Sequence, residues 1–559
     1  MPAPLSAPDR AQIRRNIVPI YGVATTRLGV VAGVLAGIVA VLLIELIGVL
    51  AGADGHIVYA IEAPYTDLAL AQQIANGHYG IVPGEPAAPS SSILFPFLLA
   101  AFVPFGLGTL SPLIINGVAT LATGIFVLLL ARECGLPLRR ISSRRLFVIA
   151  AVVTVALNLA GLALTGLEHS LHVALTVAYL LGLVRFVRRG RCDWWWFVCI
   201  LVQPIIRFEA AAMLVADVLI FIGFRRYYYA LLTVLIGVAL VGGYSLFLTA
   251  LGLPLLPSSV LARSDWSNAA VASHSGIVAV LSAIFHNLHD NLNSFGAAQI
   301  LGGLAVAWLW LDRLPGIWAR RRIDRAEQAK LMTIFFMTVV SLAQLTGGKL
   351  GWVPPRYEAY VLALNLCGLV IVYREQVVAW CTRASWLRVG LFSAVLMMIF
   401  AGYATQTLIA PTLSRKEYLG PFQLHRFVTE FYRGPVAVDQ LGYVNYDNPY
   451  YVLDLSGLAS ETARKARAAQ LPVEWMDELL GAHGVALAIL NSGEEMAIPA
   501  DWVALAELRS GNDAANHPVF YARRASEAAE IAPALADFAA TLPPEVRLVT
   551  RPPREGTAP

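Results

Sequence analysis

Charge is scarce in this chain: Asp, Glu, Lys and Arg make up 14% of its 559 residues, where soluble domains carry about 25%. With 57% of residues apolar, that shortage excludes a single water-soluble globule. Cysteine is nearly absent as well. The five are Cys134, Cys192, Cys199, Cys367 and Cys381. All fall in expected spans or basic loops, which leaves the opposite face without a disulfide framework or a Cys-based zinc site. No internal repeat stands out, and the only biased tract is the Pro-rich last eight residues. No nucleic-acid partner is expected.

What the chain does have is apolar runs of a length that crosses a hydrocarbon core of about 30 Å as helix. They fall near 28–50, 110–131, 146–165, 170–187, 193–206, 208–224, 228–251, 295–312, 331–347, 357–373 and 386–406. A polytopic α-helical membrane protein of about 11 spans is expected. Lys and Arg decide the sides. With the amino terminus in the cytoplasm, the inner loops hold 24 of them, and the outer segments before residue 407 hold four: Arg207, Arg263, Lys349 and Arg356. That asymmetry is a positive-inside pattern. The run 93–106 is apolar but short and broken by Pro96 and Pro104, so it is expected to lie flat in the outer leaflet. The first span is taken as an uncleaved anchor, because it is longer than a signal-peptide core.

The chain thus divides into a transmembrane part, 1–406, and a tail, 407–559. The first outer loop, 51–109, contains no Lys or Arg. In the tail, 435–440, 450–455, 484–491 and 519–524 read as strands and 459–481 as helix. This alternation predicts a small extracytoplasmic α/β domain.

The outer face carries the candidate chemistry. Glu62 precedes a short helix that Pro64 opens and Asn76-Gly77 ends. A carboxylate desolvated there gains basicity and serves as a general base; alternatively it complements the positive helix end. Pro83-Gly84-Glu85-Pro86 and Ser90-Ser91-Ser92 follow, a stiff turn with hydroxyls at a helix start, fit either for an anion or for ordinary capping. Glu168 and His169, with His172 one turn on, are ionisable groups at membrane depth. They can hold a divalent cation or a sugar hydroxyl, although two ligands do not make a metal site. The four outer cations call for anionic partners. These are either internal, as in Arg207 with Glu209 and Arg356 with Glu358, or a lipid phosphate.

In order, these motifs resemble the GT-C superfamily of integral-membrane glycosyltransferases. The nearest likeness is to bacterial polyprenyl-phosphate-dependent mannosyl- and arabinofuranosyltransferases. The likeness runs through Glu62-Ala63-Pro64-Tyr65, Asn76-Gly77-His78-Tyr79-Gly80, Pro83-Gly84-Glu85, Gly166-Leu167-Glu168-His169, Arg207-Phe208-Glu209, Leu255-Leu256-Pro257-Ser258-Ser259 and Arg356-Tyr357-Glu358-Ala359-Tyr360. It continues in the tail with Val438-Asp439-Gln440-Leu441-Gly442 and Leu453-Asp454-Leu455-Ser456-Gly457. The resemblance implies an inverting transfer from a polyprenyl-phosphate sugar to a cell-envelope acceptor on the outer face of a bacterial plasma (inner) membrane. It makes Glu62 the base and Arg263, Lys349, Arg356 and Arg207 the grip on the donor phosphate. Asp67, Glu168 and His169 orient acceptor or metal, and Tyr65, His78, Glu85, Ser91, Glu209, Tyr357 and Glu358 support them. One departure counts: such proteins usually carry two adjacent acids where this chain has Glu62-Ala63. A divalent cation, Mg or Mn, and metal-independent action therefore both remain open. Two rival readings are a lipid-linked sugar transporter or flippase and a non-catalytic lipid-binding relative.

Overall fold

The computed structural model describes residues 25–263, 277–294, 296–319, 323–351, 354–492, 497–510 and 517–550. Arg10, Arg14, Arg15 and Arg320 to Arg322 of the inner basic clusters lie outside them. Five helices are long and apolar enough to cross a membrane: Arg27–Gly52, Ser111–Glu133, His169–Arg189, Tyr227–Ala250 and Arg325–Gly347. Counting each of three bent pairs as one span raises the number to eight among the described residues. The chain is a membrane protein, and this count does not establish the eleven spans expected. Two reasons are geometric. Trp194–Ile206 and Ala211–Gly223 have 13 residues each, about 20 Å of helix. The expected span 146–165 is split into Ser143–Ala156 and Leu159–Leu164 by Asn158, which takes a left-handed φ of 55°.

The basic residues collect at one end of the bundle. Arg139 Nε donates to Thr25 O at 3.1 Å, Arg145 reaches Ala384 O at 2.9 Å, and Arg185 pairs with Glu133 at 3.1 Å. Arg325 donates to Arg188 O at 2.9 Å, and Arg374 caps Cys134 O. The last two put cations on carbonyls at helix C-termini, where the helix dipole favours them.

At the other end stands the tail's sheet. Its six strands are β1 (Val436–Val438), β2 (Val452–Asp454), β3 (Leu487–Asn491), β4 (Val503–Ser510), β5 (Pro518–Ala522) and β6 (Val546–Thr550), in the order β2-β1-β3-β5-β4-β6. β1 pairs parallel with β2 and β3; the remaining pairs are antiparallel. The expected helix 459–481 is two, Glu461–Ala468 and Glu474–Ala482, because Pro472 between them cannot continue a helix.

The sheet is not a tethered appendage. One apolar core runs from Val58, Tyr59, Tyr65 and Leu68 of the first outer loop through Phe427 into Val436, Leu487 and Phe520 of the sheet. Polar ties reinforce it: Tyr446 and Thr109 hydroxyls meet at 2.8 Å, and Tyr451 donates to Glu85 at 2.8 Å. Segment 93–106 forms the short helices Phe95–Ala100 and Val103–Phe105.

Candidate active site

Glu62 is set by its neighbours before its chemistry begins. It stands at the N-cap of the helix Ala63–Ala75 in a helical conformation, and its side chain makes no capping bond. The carboxylate is therefore not used to finish the helix. The preceding strand of loop is fixed by Tyr59 N donating to Tyr65 Oη at 2.9 Å, Tyr59 Oη to Thr109 O at 2.6 Å, and Ser414 Oγ to Val58 O at 2.5 Å. The tail closes over Glu62. A Cβ on Gly442 would lie 2.6 Å from Glu62 Cβ, 2.7 Å from Cδ and 2.9 Å from Oε1, so only glycine permits this approach. Glu62 keeps part of its surface accessible while protein surrounds it, the situation of a group at the floor of a cleft. Burial, and then the charge of Asp439, push its pKa up to about 7. Glu417 is close enough for its charge and that of Glu62 to repel.

Asp439 follows β1 directly and is buried. It accepts from Asn491 N at 2.6 Å and Nδ2 at 3.3 Å. In the sequence the motif containing Asp439 and Gly442 implies only a domain likeness; the contact of Gly442 with Glu62 is a property of the packing.

A second cluster centres on Arg207. Pro204 lies in the last turn of Trp194–Ile206, and Arg207 follows in extended conformation as the C-cap. Its guanidinium is buried. It donates to Glu168 Oε1 at 2.6 Å, Glu209 Oε2 at 3.1 Å and Ser91 Oγ at 3.1 Å, and it lies 5.0 Å from the centre of the Tyr357 ring. The expected internal partner Glu209 is thus present, and Glu168, expected to orient an acceptor or a metal, is held by the same arginine. His169 meets the Tyr357 ring edge-on at 5.4 Å. Arg356 also lies over Tyr357, at 4.8 Å, and donates to Pro354 O at 3.0 Å. Glu358 accepts from Tyr403 Oη at 2.7 Å and Gly351 N at 3.2 Å.

Between these groups lies a cavity of about 480 Å³, lined by Ser91, Arg207, Glu209, Ser259, Asn287, Lys349 and Tyr357 among others, within the range of small-ligand sites. Lys349 is placed by the helix Ile277–Asn293, which the hydropathy pattern did not reveal. Asn287 and Asn291 each donate to Gly348 O at 2.8 Å, and Leu350 N donates to Asn291 Oδ1 at 2.9 Å. Lys349 Nζ stands 3.8 Å from Asp290. Ser259 Oγ is buried with no partner among the described residues, an orphan that a ligand oxygen would satisfy.

Glu62 does not line this cavity. The two are joined at one turn: Ala60 N donates to Leu164 O at 3.0 Å, and Gly166, with φ +71°, lies against Tyr59 and Pro64, two residues before Glu168. Other expected site residues lie apart. Asp67 faces the Tyr79–Tyr244 hydroxyl pair, His78 is exposed, and Glu85 serves the tail through Tyr451. Arg263 ends the helix Ser258–Arg263, and its side chain lies outside the described residues. Among the described residues no three His, Cys, Asp or Glu side chains converge as a metal would require.

Residues 409–527 match a family described as a domain of unknown function (DUF8728). No curated protein matches the sequence. Among solved structures, the chain is similar to ArnT from Cupriavidus metallidurans bound to undecaprenyl phosphate. The identity is 14%, over 88% of this chain and 98% of that one, with a TM-score of 0.46. It is also similar to the Archaeoglobus fulgidus oligosaccharyltransferase in complex with Zn and sulfate, at 11% identity over 92% and 75% of the two chains and a TM-score of 0.45. The archaeal oligosaccharyltransferase AglB from the same organism, in complex with an inhibitory peptide and a dolichol-phosphate, gives 12% identity over 92% and 76% and a TM-score of 0.42.

Proposed function

We propose that the chain is a GT-C-type glycosyltransferase that moves a sugar, with inversion, from a polyprenyl-phosphate donor to a cell-envelope acceptor. In this reading the amino terminus is cytoplasmic, the eleven apolar runs are the spans, residues 1–406 are the membrane part, and residues 407–559 form an extracytoplasmic domain in a bacterial plasma membrane.

The observation that carries the reading is Glu62: a carboxyl enclosed by protein, partly accessible, and brought to about 7 by burial and Asp439. Such a group is ionised in part at neutral pH and holds a proton well when it receives one. The acceptor hydroxyl attacks the anomeric carbon as Glu62 takes its proton. The bond from that carbon to the phosphate oxygen breaks, and the polyprenyl phosphate leaves with the electron pair. Charge gathers on the leaving phosphate, so fixed cations beside it lower the barrier most. Lys349, with the Ser259 and Ser91 hydroxyls, lines the cavity suited to that phosphate. Arg207 is committed to Glu168 and Glu209 and acts here as the post that holds the wall. Among the described residues no three metal-ligating side chains converge, and these steps need only the residues named.

Transfer of sugar from a purified polyprenyl-phosphate donor by the detergent-solubilised protein tests the reading. Turnover without a sealed compartment is expected; sugar movement that requires closed vesicles and yields no new glycosidic bond would instead make the chain a transporter. In the same assay Lys349→Ala raises KM for the donor about tenfold or more, the worth of one charge-assisted hydrogen bond. An unchanged KM would remove Lys349 from the phosphate.

A further inference from the structure

The first three strands of the tail form an open parallel sheet in the order β2-β1-β3. From β1 the chain continues to β2 on one side, while β3 lies on the other. In such sheets the crevice outside the carboxyl ends of the two diverging strands is where ligands and reactive groups collect. Here that crevice is spanned by the Asp439–Asn491 bonds. The helix Gly442–Asn445 that leads out of it lies directly on the Glu62 side chain.

Resting on the reading above, we propose that the tail completes the active site, with Asp439 the positioning residue that sets the proton affinity of Glu62. Residue 63 is alanine, so the negative charges that act on Glu62 come from Asp439 of the tail and Glu417 of the helix Ala401–Leu419, not from the chain neighbour. Two features fix the pair. Gly442 lets the tail backbone reach Glu62 within van der Waals contact, and Asn491, through its backbone N and its side chain, keeps Asp439 in place as an acceptor. Asp439 has its own donors, whereas no capping bond occupies Glu62. The other charged groups around Glu62 are Glu417, from the helix Ala401–Leu419, and Lys416, which acts on Glu417; the Tyr65 and Tyr443 rings of the same loop–tail contact lie tilted, with centres 3.8 Å apart.

Removing a like charge makes Glu62 easier to ionise, so its titration moves to lower pH. The variant is Asp439→Asn in the full chain. Two readouts separate this inference from the function it rests on. The first is the Glu62 carboxyl band in the infrared, taken as the difference between each protein and the same protein carrying Glu62→Gln, which needs no substrate. The second is the pH profile of transfer from the polyprenyl-phosphate sugar. In Asp439→Asn the band's midpoint is expected about one unit below that of the parent, and the acidic limb of kcat shifts with it. An unmoved midpoint, or a kcat lowered equally at every pH, overturns the proposal. A parent protein that titrates as expected but transfers nothing leaves Asp439 in place and discards the enzyme reading. If Asp439→Asn does not fold, Asp439→Ser, which removes the same charge, decides: a midpoint about one unit below the parent's supports the proposal, and an unmoved midpoint overturns it.

Discussion

Glu62→Gln is expected to lower sugar transfer by about 10²- to 10⁴-fold, the usual worth of a general base. Donor affinity should stay within about twofold, because binding and proton transfer are separate costs. Glutamine fills the same volume, and no hydrogen bond that caps the helix Ala63–Ala75 is lost, so the variant keeps its fold. The amide simply cannot accept a proton. In the parent, transfer should rise as pH increases through about 7, since the basic form of Glu62 appears there; below it the group is protonated and idle. Single-turnover rates with bound donor measure the first effect without interference from product release. Near-parental turnover in Glu62→Gln would assign the base elsewhere.

Arg207→Ala has the largest expected effect on stability. Arg207 is buried with Glu168, and the same guanidinium holds Glu209. Its removal leaves Glu168 without its cation in a site that water does not solvate, a loss of about 3–5 kcal/mol. The damage spreads because Ser91 and the Tyr357 ring rest on the same group. Arg207→Lys should rescue only part, since one ammonium cannot fork to two carboxylates and a hydroxyl. Replacing the whole set, Arg207→Met with Glu168→Gln and Glu209→Gln, should recover most of the thermal stability lost by Arg207→Ala, because it leaves no buried charge unpaired. Thermal unfolding of the three variants in one detergent checks the order. An Arg207→Ala protein as stable as the parent would mean that water reaches Glu168.

Much of this architecture can be read in the sequence, and the limits have physical causes. The long spans are legible because crossing a hydrocarbon core demands a length and a composition that few other structures need. Asn76-Gly77 is legible as a helix stop, and Gly77 does take a φ of +82°. Four strands of the tail, β1, β2, β3 and β5, show up as short apolar runs. β4 and β6 carry Glu507, Arg509 and Arg547 within them and do not stand out from polar loop. The helix Ile277–Asn293 escapes for a related reason: its apolar face alternates with His286, Asn287, His289, Asp290 and Asn291, so a hydropathy window sees no span. The site is half legible. The acids and cations of the outer face are conspicuous because that face has so few of them, and Glu168, Arg207 and Glu209 do meet. The meeting of Glu62 with Asp439 is not written locally. The two lie more than 370 residues apart and are joined only when the first outer loop and the sheet share a core.

The central claim is that a lipid phosphate occupies the Lys349 cavity with its sugar directed toward Glu62. The structure of the full chain with a non-hydrolysable polyprenyl-phosphate sugar analogue tests it most directly. The account predicts the phosphate within hydrogen-bonding distance of Lys349 and Ser259, and the anomeric carbon close enough to Glu62 for one acceptor hydroxyl to bridge them. A phosphate bound away from Lys349, or a sugar cut off from Glu62 by the turn at Gly166, would contradict it.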